Sequence, residues 1–294
     1  MQASAGHMLL NVVKASGQTE AFHIEKLADS LIRSGASEDA AWDIARQVSV
    51  QLTPSTATRR IFRMAKKLLR QYNRASDMRY SIKKAIYSLG PSGYPFEKYF
   101  ARILRAKGYA VEVNTIMQGR CVSHEVDVFA KKENRGFIIE CKYHSNGGIP
   151  TDVKIALYVN SRYNDIKQAS SLMQKQTISI DEGWLVTNTR CTSDAIKYAE
   201  CVGLKVVSWK YPEKDSLEKM IENNGLYPVT ILSSIRKNSI ETLFRNDIIL
   251  ARDIADMDEQ AFLRMSHLDA NTARILKKEA DELCLVQNLK TASQ

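Results

Sequence analysis

Short apolar runs separated by polar turns indicate β-strands in the middle of the chain. Residues 122–129 form one run, and 137–139 begin the next after the polar turn 131–136. Asp127 lies near the end of the first run, and Glu140 follows the second directly. Charges in apolar strands are costly unless they are paired or bind metal. The pattern favours a functional strand pair, and its alternative is an ordinary pair with solvated charges at its edges.

The spacing of Glu140 and Lys142 indicates which reaction this strand pair could support. Alternate side chains of a strand share a face, so Glu140 and Lys142 are expected on one face and Cys141 on the other. Mg²⁺ prefers oxygen ligands and usually takes one or two carboxylates together with water. A lysine beside such an ion can position an attacking water and stabilise charge on a phosphate. Asp127, Glu140 and Lys142 therefore predict phosphodiester hydrolysis.

The segment 93–210 resembles the PD-(D/E)xK nuclease superfamily, and most closely the Mrr-type restriction endonucleases. The matching pieces occur in order at 96–104, 107–113, 124–128, 139–144, 183–188, 195–199 and 204–208. The resemblance implies a mixed β-sheet flanked by helices and a Mg²⁺ (or Mn²⁺) ion held by Asp127, Glu140 and the main-chain carbonyl of Cys141. It also implies that Lys142 acts on the water and that DNA is the substrate.

The same resemblance implies two further site residues. Glu97 stands in the place of the helix acid, although Lys98 and Arg102 surround it at helical spacing, as expected for a solvated residue. Gln168 lies on a predicted helix, 165–172, where some relatives place an additional polar residue. A separate helix is predicted at 153–163, after the loop signal that ends at Asp152.

The N-terminal part of the chain has a helical pattern after two short strands. The strands are predicted at 9–14 and 19–22 around a turn at 15–18. Gly35 is expected to end the first helix, and Ser37 to cap the second. Four helices are predicted, at 24–34, 37–52, 55–72 and 77–89. The pattern predicts a small β-hairpin with a four-helix bundle.

The positive charge of the chain is concentrated in this N-terminal part. Residues 1–90 contain fourteen Lys or Arg and seven Asp or Glu, so they carry +7 of the net charge of +9. A basic stripe follows one helix at spacings of three and four, and it suits a polyanion. Its alternative is the solvated face of that helix. The predicted nucleic-acid contacts are Arg59, Arg63, Lys66, Lys67 and Arg70.

The pattern from Val12 to Leu27, with Lys14, Gly17, Glu20, Phe22 and Lys26 at matching positions, resembles the opening of the ATP-cone. This nucleotide-binding regulatory domain occurs in many ribonucleotide reductases and in their transcriptional repressor. The resemblance covers residues 9–90 and implies binding of ATP or dATP by Val13, Lys14 and Lys26. Ala15 and Ser16 replace the usual Arg-Asp pair in the turn. A cone that serves only oligomerisation is the alternative.

The C-terminal part predicts short helices at 239–244, 248–253, 258–265 and 271–283. Residues 254–275 resemble a degenerate helix-hairpin-helix module, which contacts the DNA backbone through hairpin amides. Ser266–Asp269 replace the glycines of that hairpin, and the segment 225–294 has a net charge of −1. Packing or dimerisation is therefore as compatible with this segment as DNA binding.

Length and composition complete the predicted organisation. The chain has 294 residues, of which 44% are hydrophobic, and this indicates globular material of about two domains. Together with the resemblances above, it implies an α/β multidomain protein. No apolar run reaches the ~18 residues needed to span a membrane. The five cysteines form no Cys-x-x-Cys pair, which favours reduced thiols in a cytoplasmic protein. The predicted segments are a vector remnant (1–7, with Met8 as the native start), an ATP-cone (8–91), a nuclease domain (92–213), a linker helix and turn (214–233) and a helical domain (234–294).

These features predict a Mg²⁺-dependent endodeoxyribonuclease, similar to type II restriction enzymes and regulated by ATP or dATP. DNA is the expected partner, with RNA as an alternative, together with a nucleotide effector and a second copy of the chain. The role would be restriction or defence. The alternative function is a non-catalytic, nucleotide-responsive DNA-binding regulator. The repressor of that type needs paired cysteines for zinc, and this sequence has none.

Overall fold

The computed structural model describes residues 10–14, 16–172 and 179–291. The predicted vector remnant, the proposed start at Met8, and Ala15 in the cone turn lie outside these ranges. The described residues form two compact units. One contains the residues up to Ile82 and those from Leu285, and the other is Lys83–Cys284. Across the described ranges, no helix combines the length and apolar character needed to cross a bilayer.

The first unit contains the predicted hairpin and one strand that the pattern does not predict. Strands β1 (Asn11–Val13) and β2 (Thr19–Ala21) pair antiparallel, and β3 (Thr56–Ala57) pairs parallel to β1. The helices that follow the hairpin are α1 (Ile24–Arg33), α2 (Glu38–Val50), α3 (Thr58–Tyr72) and α4 (Arg74–Tyr80). A strand of two residues is too short to show a period, so the sequence predicts only the start of a helix at that point.

The caps of these helices follow the predicted local chemistry. Gly35, after α1, has a φ of +98°, and the Ser37 side chain accepts the N–H of Ala40 at the start of α2. The predicted fourth helix, 77–89, is wrong in its bounds. Asn73 ends α3 and caps α4, and Ser81 separates α4 from α5 (Ile82–Tyr87).

The second unit is built on a five-stranded mixed sheet. Its strands, in spatial order, are β4 (Ala110–Gln118), β5 (Ser123–Lys132), β6 (Arg135–Lys142), β7 (Ser179–Thr187) and β8 (Lys205–Val207). The first three are antiparallel neighbours, whereas β6, β7 and β8 are parallel. The helices beside them are α6 (Tyr94–Ala106), α7 (Val153–Leu172) and α8 (Ser193–Val202). This mixed sheet with helices confirms the architecture predicted for the central region.

A two-residue turn sets the register of the central strands. Glu133 and Asn134 join β5 to β6 with φ values of +52° and +63°. Positive φ at both positions is the geometry of a type I′ hairpin, which matches the twist of the flanking strands. The resulting register pairs Val128 with Ile139. Asp127 and Glu140 are the next residue on each strand, so this turn places the two acids side by side.

Helix α7 differs from its prediction. The structure has one continuous helix where the sequence predicts separate helices at 153–163 and 165–172. The segment contains neither Pro nor Gly, and Asn164 at the predicted break remains helical.

The C-terminal part of the second unit is helical, as predicted. It contains α9 (Leu217–Asn224), a 3₁₀ turn (Val229–Ile231), α10 (Lys237–Arg245), α11 (Ala251–Ala255), α12 (Glu259–Ser266) and the part of α13 (Ala270–Thr291) up to Cys284. The stretch predicted as a linker helix and turn contains buried residues: Leu226 and Tyr227 are 2% and 4% exposed. The Tyr99 hydroxyl of α6 donates to the Leu226 carbonyl at 2.7 Å. Arg102 of the same helix pairs with Asp253 and, at 3.6 Å, with Asp247.

We expect Arg102→Ala to weaken the attachment of this helical part to α6. The ion pair with Asp253 is mostly shielded from water, so its loss should cost about 1–3 kcal/mol and lower the melting temperature by several degrees. Thermal unfolding of the full chain measures the effect. Arg105→Ala is the control, because Arg105 lies on the same helix and donates to Val111 at an exposed position. Equal melting temperatures for the two variants would contradict the expectation.

Candidate metal and active site

The strands β5 and β6 separate at the position of Asp127. Their regular pairing runs from Val128 and Ile139 to the hairpin turn and does not extend to Asp127 and Glu140. The Asp127 carboxylate takes the place of the strand partner and accepts the Cys141 N–H at 2.7 Å. One carboxylate oxygen is thereby fixed, and the other is available to bind a cation. We call this point, where the regular pairing of β5 and β6 ends, the β5–β6 fork. It holds Asp127, the first predicted metal ligand, between the two strands.

Glu140, on the opposite branch of the fork, forms an ion pair with a residue that the sequence does not indicate. Its carboxylate accepts from the Arg162 guanidinium of α7 at 2.5 Å. Arg162 also donates to the Glu125 carbonyl at 2.9 Å and to the Tyr158 hydroxyl. The guanidinium therefore joins α7 to β5 and β6 at the candidate site. Only the fold reveals this contact, because 22 residues separate Arg162 from Glu140.

Glu97 adds a third acid from α6. Burial, followed by the nearby charges of Asp127, Glu140 and Glu125, raises its pKa from 4.5 to about 7. Burial also raises the pKa of Glu140 to about 7, with Asp127 as the next cause. The pKa of Asp127 is raised by burial as well, although the Cys141 N–H opposes the shift. The acids predicted from sequence thus lie close enough to disfavour one another's ionisation.

Lys142 lies at the end of β6 with an exposed side chain. Its charge lowers the pKa of both Asp127 and Glu140, which places it in the electrostatic field of the two carboxylates. Cys141 between them is buried, as the predicted alternation of faces requires. The structure therefore brings together Asp127, Glu140, Lys142 and Glu97.

The donor chemistry of this site fits a hard divalent cation. Asp127 and Glu140 offer carboxylate oxygens, and burial, the largest cause of their raised pKa values, disfavours their ionised forms in the absence of a cation. Within the described residues, no three His, Cys, Asp or Glu side chains form a ready metal cage. Mg²⁺ does not require one, since it is usually held by one or two carboxylates and retains several waters. Two carboxylates and a main-chain carbonyl are sufficient for such an ion.

The comparisons with known proteins agree with this geometry. The restriction endonuclease family of the Mrr catalytic type matches residues 90–213, and the AF1548-like C-terminal family matches residues 227–284. An uncharacterized protein of Archaeoglobus fulgidus is 37% identical over 183 residues, which are 62% of this chain and 98% of the relative. The chain belongs to the AF1548-like family. It carries a nuclease-type domain of the restriction endonuclease class, followed by the family's C-terminal domain.

A solved member of this AF1548-like family supports the same assignment. The crystal structure of AF1548, a protein of unknown function, superimposes with a TM-score of 0.57 at 35% sequence identity. The match covers 65% of the present chain and 98% of the solved chain. The family assignment therefore rests on sequence and fold together.

Gln168 is the predicted site residue that the structure places apart from the carboxylates. It lies on α7, six residues beyond Arg162, and its side-chain oxygen accepts from Arg120 at 2.9 Å. Asp165 lies between them and holds the β4–β5 connection through His124 and two backbone amides. Gln168 therefore belongs to the surface next to that connection.

The three residues predicted to bind nucleotide do not all face the same cavity of the first unit. A cavity of about 180 Å³ is lined by residues of β1, β2, α1, α3 and α4, and Lys26 is one of them. Val12 lines the cavity, whereas the predicted contact Val13 does not. Lys14 forms an ion pair with Glu20 at 2.6 Å. Of the three predicted contacts, Lys26 is the one that faces this cavity.

The basic stripe on α3 is exposed along most of its length. Arg59, Arg63, Lys67 and Arg70 have exposed side chains, and Ile61, Ala65 and Leu69 form the buried face. Lys66 departs from the prediction because its ammonium pairs with Asp77 at 2.5 Å, and the Asp77 side chain is 2% exposed. Lys66 thus balances a buried acid, which makes it a structural residue of the unit.

We expect Glu97→Gln to stabilise the metal-free protein at alkaline pH. Because the pKa of Glu97 is higher when folded, its ionisation above pH 7 costs folding free energy, and this cost is absent below about pH 4.5. In EDTA, the variant should exceed the wild type by about 1–3 kcal/mol at pH 8.5 and match it near pH 4.5. Thermal or urea unfolding across this range tests the sign. Glu133→Gln, at an exposed turn position, should track the wild type, and a pH-independent difference for Glu97→Gln would contradict the assignment.

Proposed function

We propose that the protein is a Mg²⁺-dependent DNA endonuclease that hydrolyses phosphodiester bonds at the β5–β6 fork. The observation that carries the proposal is the convergence of Asp127, Glu140 and Glu97 beside Lys142 in a domain of the restriction endonuclease class. Buried acids that raise one another's pKa are unfavourable for folding alone, and such groups cluster at functional sites. A role in restriction or defence is compatible with this chemistry.

Each residue has a separate task in the proposed reaction. Bound Mg²⁺ would neutralise charge on the phosphate and activate water, and Asp127, Glu140 and the Cys141 carbonyl would hold it. Lys142 would orient the attacking water and stabilise the charge that develops on the phosphate. The Cys141 N–H keeps Asp127 in one orientation, and Arg162 does the same for Glu140. Burial raises the pKa of Glu97 to about 7, and cationic charge in the site would favour its ionised form.

We expect Glu140→Ala and Lys142→Ala each to reduce DNA cleavage by about 100-fold or more, since each removes a group that acts on the reacting phosphate or water. Conversion of supercoiled plasmid to nicked and linear forms with Mg²⁺ is the measurement, with Mn²⁺ as a second metal. Lys131→Ala is the control, because Lys131 pairs with Glu112 on β4. Undiminished cleavage by both site variants would overturn the assignment. Wild-type DNA binding without any cleavage would favour a non-catalytic regulator.

The first unit is proposed to bind ATP or dATP and to regulate this activity. Support comes from the cavity lined by Lys26, in which the Phe62 and Tyr80 rings stack at 5.0 Å. At 180 Å³ it is smaller than the ~300–1,000 Å³ of typical small-molecule sites, so it would enclose only part of a nucleotide. An ammonium group beside a triphosphate is a favourable, mobile donor. Nucleotide would alter cleavage only through different affinities for two states of the protein.

We expect Lys26→Ala to weaken ATP or dATP binding by about tenfold, which corresponds to ~1.4 kcal/mol for a lost charge contact. Isothermal titration of the full chain with each nucleotide provides the affinity, and plasmid cleavage with and without nucleotide provides the regulatory effect. Arg46→Ala on α2 is the control, since its side chain donates to the Trp42 carbonyl. Wild-type protein that binds neither nucleotide would refute the effector proposal and leave the nuclease proposal intact.

A further inference from the structure

A basic groove lies between the β4–β5 connection and the C-terminal part of α7. Arg120, Asn164, Lys167, Gln168 and Ser171 line it, and its volume is about 470 Å³. Resting on the nuclease function proposed above, we propose that this groove binds the phosphate backbone of the DNA outside the segment that reaches the fork. The groove would add affinity for DNA without contacting the phosphate that is cut.

The connection that forms one wall of the groove is firmly held. The Asp165 carboxylate accepts the N–H groups of Cys121 and Val122, at 2.9 and 3.3 Å, and contacts the His124 ring at 2.8 Å. The Asp165 carbonyl also accepts the Arg120 N–H at 3.0 Å. These four contacts to Asp165 hold the exposed turn in a defined position. Arg120 is therefore presented to the groove from a rigid support.

Gly119 shows how closely this turn approaches α7. A Cβ at this position would lie 2.1 Å from an Asp165 carboxylate oxygen and 2.6 Å from the Val122 carbonyl. Neither approach is possible for a real side chain, so glycine is required for the turn to reach Asp165. The backbone thus brings Arg120 close to α7. A turn surrounded by solvent would not require glycine at this position.

The groove presents donors and positive charge. Arg120 and Lys167 contribute two cationic groups, and the described residues that line the groove include no carboxylate. Gln168 accepts from Arg120 through its oxygen, so its amide N–H groups are directed away from that bond. The Asp165 charge is directed to the turn amides and His124. A ligand that accepts hydrogen bonds and carries negative charge, such as a phosphodiester, matches this surface.

The groove and the fork lie on different faces of α7. Arg162 contacts Glu140, and Gln168 lies six residues further along the same helix. Six residues turn an α-helix through about 600°, so the groove residues of α7 share a face that is turned away from Arg162. The groove would therefore give the DNA a contact surface separate from the fork.

The test is DNA binding without cleavage. Fluorescence anisotropy of a labelled DNA duplex of about 30 base pairs, in EDTA and between about 50 and 200 mM salt, gives the affinity and its salt dependence. We expect Arg120→Ala/Lys167→Ala to weaken binding about tenfold and to reduce the slope of log K against log salt by about two. Lys197→Ala/Lys214→Ala is the matched control, because it removes two exposed lysines from the same unit. It should retain the wild-type slope.

The outcomes separate this proposal from the nuclease proposal. If the groove variant binds DNA with wild-type affinity and slope while Glu140→Ala still abolishes cleavage, the groove assignment is overturned and the nuclease proposal stands. If the groove variant loses binding in a protein that cleaves no DNA, the groove assignment is supported and the nuclease proposal fails. A loss of binding seen with an RNA duplex and not with DNA would overturn the choice of DNA as the ligand. Gly119→Ala offers a second variant: because it displaces Arg120 from the groove, it should weaken binding and reduce the salt slope by about one, with Lys167 still in place.

Discussion

The separation of β5 and β6 at Asp127 is the constraint on which the candidate site depends. The tight turn at Glu133 and Asn134 fixes the register, and the strands then stay paired only as far as Val128 and Ile139. Beyond that point the Asp127 carboxylate, rather than a backbone carbonyl, satisfies the Cys141 N–H. The end of the ladder thus leaves Asp127 and Glu140 as neighbours whose carboxylates are not separated by backbone pairing.

Charge balance explains the arrangement around the fork. Glu97, Asp127 and Glu140 are partly buried acids in one region, and each makes the ionisation of the others less favourable. Arg162 compensates part of this charge from α7, and Lys142 compensates part from the solvent side. Burial of the carboxylates is the larger cost of their ionisation, and a divalent cation bound by Asp127 and Glu140 would offset it.

Sequence predicted the parts of this site that lie close together along the chain. The strand pair, the spacing of Glu140 and Lys142, and the mixed sheet follow from local patterns and a family resemblance. Arg162 and Asp165 could not be predicted, because they reach the strands from a helix whose distance in space is set by packing. The break expected in α7 was wrong because polar composition alone does not end a helix. The packing of Leu226 next to α6 could not be predicted either, since loop-like composition does not report burial. The roles of the site residues stay predictions.

Helix α6 contributes both to the candidate site and to the packing of the C-terminal helical part. One end of the helix carries Glu97 toward the fork, and within two turns Tyr99 and Arg102 contact the C-terminal helical part. The two matched families divide the sequence between residues 213 and 227, but the folding unit continues across that division. The packing of the nuclease-type segment therefore does not end at the family boundary. Glu97 lies on a helix that also contacts the neighbouring family segment, so a substitution that loosens this contact is expected to disturb the position of Glu97 as well.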